Sequence, residues 1–216
     1  SEQILNLLTF QVIGVLLGGR VGHVLLYNWE KFTTDPLMLL RVWEGGMASH
    51  GGFLGVCIAT LWYARTSKQS PYPIGDVIVS IVPPGLFFGR LANFVNGELW
   101  GRPTDVSWGV LFPNAPNFAE DIARHPSQIY EAFFEGIILF FILFFIFKKN
   151  YSTEKYGLLS GAFLFFYGIF RFLIEFLREP DEHIGFFFDF LSMGQLLSIP
   201  LIFIGIIILW KKKSYV

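Results

Sequence analysis

Six long apolar stretches, at roughly 4–27, 50–65, 74–95, 128–147, 157–178 and 190–210, are separated by polar breaks along the 216-residue chain. A helix crossing a bilayer needs about 20 consecutive, mostly apolar residues. The pattern therefore predicts an all-α, polytopic helical membrane protein with six spans. The second stretch is short, and the third carries Pro83-Pro84-Gly85, which predicts a kinked helix there. One break is long: residues 96–127, rich in Pro, Asn and Trp, predict a folded lobe outside the membrane. With no internal repeat and no low-complexity linker, residues 1–216 read as a single membrane-embedded domain. The chain starts at Ser1 and turns apolar almost at once, with no signal-peptide pattern. The expectation is that its natural amino terminus is missing.

Composition agrees with the pattern. Only 15% of residues are charged, against 53% hydrophobic and 19% aromatic, whereas soluble domains carry about a quarter charged. A net charge of -1 and the lack of a basic face argue against a nucleic-acid partner. The single cysteine, Cys57 in FLGVCIATLWYA, excludes an internal disulfide and a Cys-based zinc cluster, and reads as a small packed hydrophobe. Four scattered histidines without HExxH spacing give no metal motif. No cofactor is implied.

Charge then orients the spans. With six spans both chain ends share a side, which receives Arg65, Lys68, Lys148, Lys149, Lys155, Lys211, Lys212 and Lys213. The other side receives Lys31, Arg41, Arg102, Arg124 and Arg178. Positively charged loops stay inside, so the carboxyl terminus is expected in the cytoplasm and the lobe at 96–127 outside.

Three arginines remain within spans: Arg20, Arg90 and Arg171. Counted from the outward ends of their spans, at 1.5 Å per residue, all three lie roughly 8–10 Å below the outer membrane edge. An arginine inside a span is costly, so each either snorkels, pairs with a carboxylate, or serves a polar cavity. Glu175 is the candidate partner for Arg171, and Glu131 or Glu135 for another. Three cations at one depth favour an anion-binding cavity.

The fifth span supplies more. Tyr167, Arg171 and Glu175 are spaced by four in YGIFRFLIEFLRE, with Arg178 three further on, so a phenol, two guanidiniums and a carboxylate share a helical face. That face belongs inside the bundle, either as an ion pair locking helices or as a functional site. His50 opens the second span in SHGGFLGV, where it is either an interfacial hydrogen-bonding residue or a general base. In GRLANFVNGELWG, Arg90 and Asn93 share a face if the helix continues, and Asn96 and Glu98 follow at its outward end. Gly97 and Gly101 permit a turn that returns the amides above the guanidinium. Arginine grips phosphate as a planar fork, and the whole suits a lipid headgroup.

GRLANFVNGELWG closely resembles the signature of the bacterial prolipoprotein diacylglyceryl transferases. The resemblance continues through LGGRVGHVLLYN, RVWEGGMASHGG, RHPSQIYEAFFEG, YGIFRFLIEFLREPD and SMGQLLSIP, over essentially the whole chain. It implies transfer of the diacylglyceryl group of phosphatidylglycerol to the lipobox cysteine thiol of a preprolipoprotein signal peptide. A thioether forms and glycerol phosphate leaves. It also implies a bacterial inner-membrane protein working among membrane lipids, with its active site toward the outer leaflet. By the same resemblance, Arg90 holds the lipid phosphate and Arg171 is the second essential cation. Asn93, Asn96, Glu98 and Gly101 fall in the signature, Tyr167 and Glu175 support Arg171, and His50 matches the proposed base. The family normally has seven spans, so its amino-terminal helix is expected to be absent here. The rival reading is a membrane transporter or lipid-binding protein that uses the arginines as an anion site. The lack of paired repeats with broken helices counts against transport.

Overall fold

Each of the six apolar stretches folds as a helix in the computed structural model, which describes residues 2–116, 121–150, 155–179, 186–187 and 191–211; the side chains of Leu26, Ser49, His50, Phe186 and Phe187 lie outside that description. Helix α1 is Glu2–Tyr27, α2 is Trp29–Thr34, α3 is Ser49–Thr66 and α4 is Pro71–Val95, with short 3-10 turns at Pro36–Leu39 and Val42–Glu44. Helix α5 (Ser127–Glu131) passes through a π-helical segment, Ala132–Ile138, into α6 (Leu139–Asn150). Helices α7 (Leu158–Ile174) and α8 (Met193–Trp210) follow, with a short antiparallel pair of β1 (Phe186–Phe187) and β2 (Leu191–Ser192) before α8. Among the described residues, four helices are long and apolar enough to cross a membrane: Glu2–Leu25, Pro71–Val95, Ser127–Asn150 and Met193–Trp210. The hydrophobic pattern predicts six such spans. Helices α3 and α7 occupy the second and fifth places with 18 and 17 residues, about 26 Å of helix against a hydrocarbon core of about 30 Å. Large side chains such as Phe145, Phe203 and Trp210 are exposed, an arrangement suited to lipid rather than water.

The chain forms two compact units, Ser1–Ile74 and Gly75–Val216. In the first, α1 and α3 meet backbone to backbone: a Cβ on Gly55 would overlap the Gly14 carbonyl oxygen. This contact corrects the expectation for Cys57, which is exposed. The buried stripe of α3 holds Gly55 and Ala59, and Cys57, two residues from each, points the other way. In a span, an apolar neighbourhood marks lipid as readily as core.

Arg20 also belongs to the first unit. It is buried, and its guanidinium donates to the carbonyls of Met38, Leu39, Arg41, Gly45 and Gly46. These bonds tie the segment after α2 to α1. Its donors thus serve carbonyls of the chain itself, and the expectation that it lines an anion cavity is not met.

In the second unit, Leu139 and Leu143 of α6 pack with Leu159, Ala162 and Phe163 of α7. Helix α8 begins with a capping box, Ser192 and Gln195 exchanging side-chain and backbone hydrogen bonds. Helix α7 is capped from another helix. The Asp76 carboxylate of α4 accepts the Gly157 N–H at 2.7 Å, the Ser160 N–H at 2.8 Å and the Ser160 hydroxyl at 2.7 Å. Amides at a helix start have no partner within the helix, so Asp76 replaces the missing local cap. Asp76→Ala is expected to lower the unfolding free energy by about 1–2 kcal/mol, seen as a lower thermal midpoint in detergent. An unchanged midpoint would show that this cap is not stabilising.

Candidate active site

The site grows from the way α4 ends. Gly97 takes the left-handed conformation, with φ +63, which glycine adopts without steric cost. Its N–H bonds to the Phe94 carbonyl at 3.0 Å, and the Glu98 N–H to the Asn93 carbonyl at 3.0 Å. This is a Schellman stop. It folds Glu98 back over the last helical turn, where its Oε1 accepts from Asn93 Nδ2 at 2.8 Å and Asn96 Nδ2 at 3.2 Å. The two amides hold the exposed Glu98 carboxyl below the usual carboxylate range. So the turn expected in GRLANFVNGELWG forms, with the amides clasping Glu98 above Arg90.

The chain beyond the turn is pinned by RHPSQ. Gln128 donates to the Glu98 carbonyl at 2.6 Å and Ser127 to the Leu99 carbonyl at 3.1 Å, both from buried positions. Gly101 then pairs with His125 on one side and Arg178 on the other. A Cβ there would lie 2.5 Å from the His125 carbonyl and 2.6 Å from that of Leu177. Gly101 is therefore the point where the ends of α4 and α7 and the start of α5 are stitched by backbone, and its place in the signature has a structural cause.

Those stitches bring the charged groups together. Glu131, fully buried at the end of α5, is their centre. Its Oε2 lies 2.5 Å from Arg90 Nε, and its Oε1 lies 3.0 Å from Arg171 Nη1 and 2.9 Å from Arg178 Nη1. Arg171 Nη2 also lies 3.0 Å from Glu175 Oε2, as the spacing by four predicts. Arg90 and Arg171 thus converge as expected. Both keep some exposure, 18% and 15% of their side chains, while Glu131 has none. Arg90 Nη1 reaches Asn93 Oδ1 at 3.5 Å, and its Nη2 has no hydrogen-bond partner among the described residues.

Close packing sets this geometry. A Cβ on Gly136 would lie 2.7 Å from that of Phe87, so the π-helical segment presses on α4 one turn before Arg90. A Cβ on Gly194 would lie 2.5 Å from Cδ of Glu175, so the start of α8 leaves room for that carboxylate and no more. Tyr167 stacks on Phe163, ring centroids 5.5 Å apart. Glu135, one step along the π-helical segment, is fully buried, and neither of its oxygens has a hydrogen-bond partner among the described residues. His50 lies in the first turn of α3, in the first unit, and its side chain is outside the described residues.

Sequence reading missed the central role of Glu131, the backbone bridge from which Arg178 reaches it, and the supports Gln128 and Gly194. The available signal was two glutamates four apart inside the apolar run of IYEAFFEGIIL, a placement that lipid does not tolerate unpaired.

The family model described as Prolipoprotein diacylglyceryl transferase matches residues 1–211. The chain is 50% identical over 213 residues to the phosphatidylglycerol–prolipoprotein diacylglyceryl transferase of Vibrio atlanticus, covering 98% of this chain and 76% of that protein. To the enzyme of the same name from Vibrio cholerae it is 48% identical over 213 residues, with the same two coverages. To that of Aeromonas hydrophila it is 47% identical over 210 residues, covering 97% and 74%.

Proposed function

This chain belongs to the prolipoprotein diacylglyceryl transferase family, and we propose that the cluster centred on Glu131 is where it holds the phosphate of its lipid substrate. It is a transferase that moves a diacylglyceryl group to prolipoprotein in lipoprotein biogenesis, with phosphatidylglycerol and prolipoprotein as substrates. One observation carries the assignment of the site. Three guanidiniums meet only two ion-paired carboxylates, Glu131 and Glu175, and the side chains of Arg90 and Arg171 keep 18% and 15% exposure. A phosphate monoanion pairs with guanidiniums in the geometry that their planar fork prefers.

The chemistry follows from the bonds that change. The lipobox cysteine of the preprolipoprotein signal peptide attacks the glycerol carbon, a C–S thioether bond forms, and the C–O bond to phosphate breaks. The electron pair leaves with the glycerol phosphate, which gains a negative charge as it departs. Arg90 and Arg171, already oriented by Glu131 and Glu175, stabilise that charge without rearranging. Asn93, Asn96 and Glu98 shape the mouth above them, and Tyr167 buttresses the Arg171 helix. A free thiol has a pKa of about 8.5, so its proton needs an acceptor, and the family resemblance assigns that role to His50. The site faces the outer leaflet of the bacterial inner membrane and the carboxyl terminus lies in the cytoplasm, a reading that rests on the lysine and arginine asymmetry.

The test incubates the purified chain with phosphatidylglycerol and a lipobox peptide. The cysteine peptide is expected to gain the mass of one diacylglyceryl group, and the same peptide with serine in its place is expected to gain nothing. Tight binding of phosphatidylglycerol with no change in peptide mass would favour a lipid-binding protein instead.

A further inference from the structure

Glu135 has no part in the reaction so far, yet it is a fully buried carboxyl with no hydrogen bond to either oxygen among the described residues. The charged groups acting on it come from every element around it: Arg90 from α4, Arg171 from α7, Arg178 from the strand-like segment after α7, and Glu131 from its own helix. The Tyr167 phenol of α7 is also within electrostatic range. Glu175 completes the group through its ion pair with Arg171.

Counted together, Arg90, Arg171 and Arg178 carry three positive charges, and Glu131, Glu135 and Glu175 three negative charges when all are ionised. By themselves the six groups are then neutral. A phosphate monoanion entering the cluster leaves one uncompensated negative charge in a buried site, where like charges cannot all remain ionised. One carboxyl must give way. Glu131 is fixed by three guanidiniums and Glu175 by one. Glu135 has no ion pair within 4 Å among the described residues and no donor to hold its charge, so its ionised form is the least supported.

We infer that Glu135 is a charge-compensating switch of the phosphate site, taking up one proton when the anionic lipid binds and releasing it when the lipid leaves. The step balances as carboxylate plus proton plus lipid monoanion giving neutral carboxyl and bound monoanion. This inference rests on the cluster being the phosphate site. It makes Glu135 a positioning residue: it touches no reacting atom and sets the charge that the arginines present.

Calorimetric titration of the chain in neutral detergent with short-chain phosphatidylglycerol, in buffers of different ionisation enthalpy, counts the protons directly. Uptake is expected to approach about one proton per lipid at some pH within the range over which the chain stays folded. Across that window the Kd is expected to rise by up to about tenfold per pH unit. Glu135→Gln, neutral and of the same shape, is expected to remove both the uptake and the slope and to bind as tightly as the parent does at low pH. No proton uptake by the parent chain at any pH in the range would overturn the switch, as would uptake unchanged in Glu135→Gln. Should that variant not fold, the proton count of the parent chain decides alone. Arg90→Ala separates the two readings. Undiminished lipid binding in Arg90→Ala removes the phosphate site itself, whereas weakened binding with a slope that survives Glu135→Gln removes the switch alone.

Discussion

Replacing Arg90 with lysine is expected to leave the protein folded and to slow diacylglyceryl transfer by about 30- to 1,000-fold, equivalent to about 2–4 kcal/mol of transition-state stabilisation. The reason lies in how the guanidinium divides its donors. Nε faces Glu131 at 2.5 Å, and Nη1 and Nη2 are left for Asn93 and for a ligand. A lysine ammonium is a single point. Held by the buried Glu131 carboxylate, it keeps the ion pair and the fold but has no second arm to follow the departing phosphate. Arg90→Ala removes the arm and also exposes Glu131 to the loss of one counter-charge, so it is expected to be both slower and less stable. Initial rates on a lipobox peptide, measured with unfolding curves of the same preparations, separate these effects. A well-folded Arg90→Lys enzyme working at a normal rate would mean that the arginine serves only as a counter-charge to Glu131, which lysine supplies equally well.

Much of this geometry is legible along the chain, and the parts that are not share a cause. Period and spacing give six helical stretches, the turn that Gly97 and Gly101 permit, the pair Arg171–Glu175, and the meeting of Arg90 with Arg171. All are local relations or follow from depth along a helix. Depth carries no information about direction around the axis, however. Arg20 shares a counted depth with the other two arginines, yet its guanidinium ties down loop carbonyls. Cys57 has apolar neighbours in sequence and is exposed all the same. Helix α7 stops at Ile174 rather than continuing to Arg178. Arg178 reaches Glu131 from a backbone bridge with Gly101, a pairing between residues far apart in sequence. The π-helical turn at Ala132–Ile138 breaks the 3.6-residue rule that assigns Glu131 and Glu135 their faces. Nothing in the hydrophobic pattern marks such a turn. Span count is where composition and length disagree most: α3 begins with Ser49 and His50 and ends with Arg65 and Thr66, so its apolar part is too short to match the four long helices.

Glu131→Gln is expected to be the most damaging single change in the molecule, because one fully buried carboxylate orients three guanidiniums from two different parts of the chain. A simple charge argument predicts the opposite for binding. Removing a negative charge makes the cluster more cationic and ought to attract a phosphate more strongly. That argument neglects what holds the arginines in place. Without Glu131 the three cations repel one another in a site shielded from water, and breaking a buried ion pair by removing one partner costs about 3–5 kcal/mol. The expected result is a loss of stability of at least that size, with transfer falling to background because Arg90 and Arg171 no longer aim at one point. Arg178 supplies the control. It is the partner tied to the backbone bridge at Gly101 and not to the mouth of the site, so Arg178→Gln is expected to be the milder variant. Their ion pair at 2.9 Å couples the two positions. The double variant Glu131→Gln, Arg178→Gln is therefore expected to be more stable than the sum of the two losses predicts, by about 1–3 kcal/mol. Because Arg90 and Arg171 remain mutually unscreened in that double variant, its stability is expected to recover further than its transfer rate. Simple additivity in the unfolding free energies, or a Glu131→Gln enzyme of normal stability and rate, would show that the three arginines are held by something other than this carboxylate.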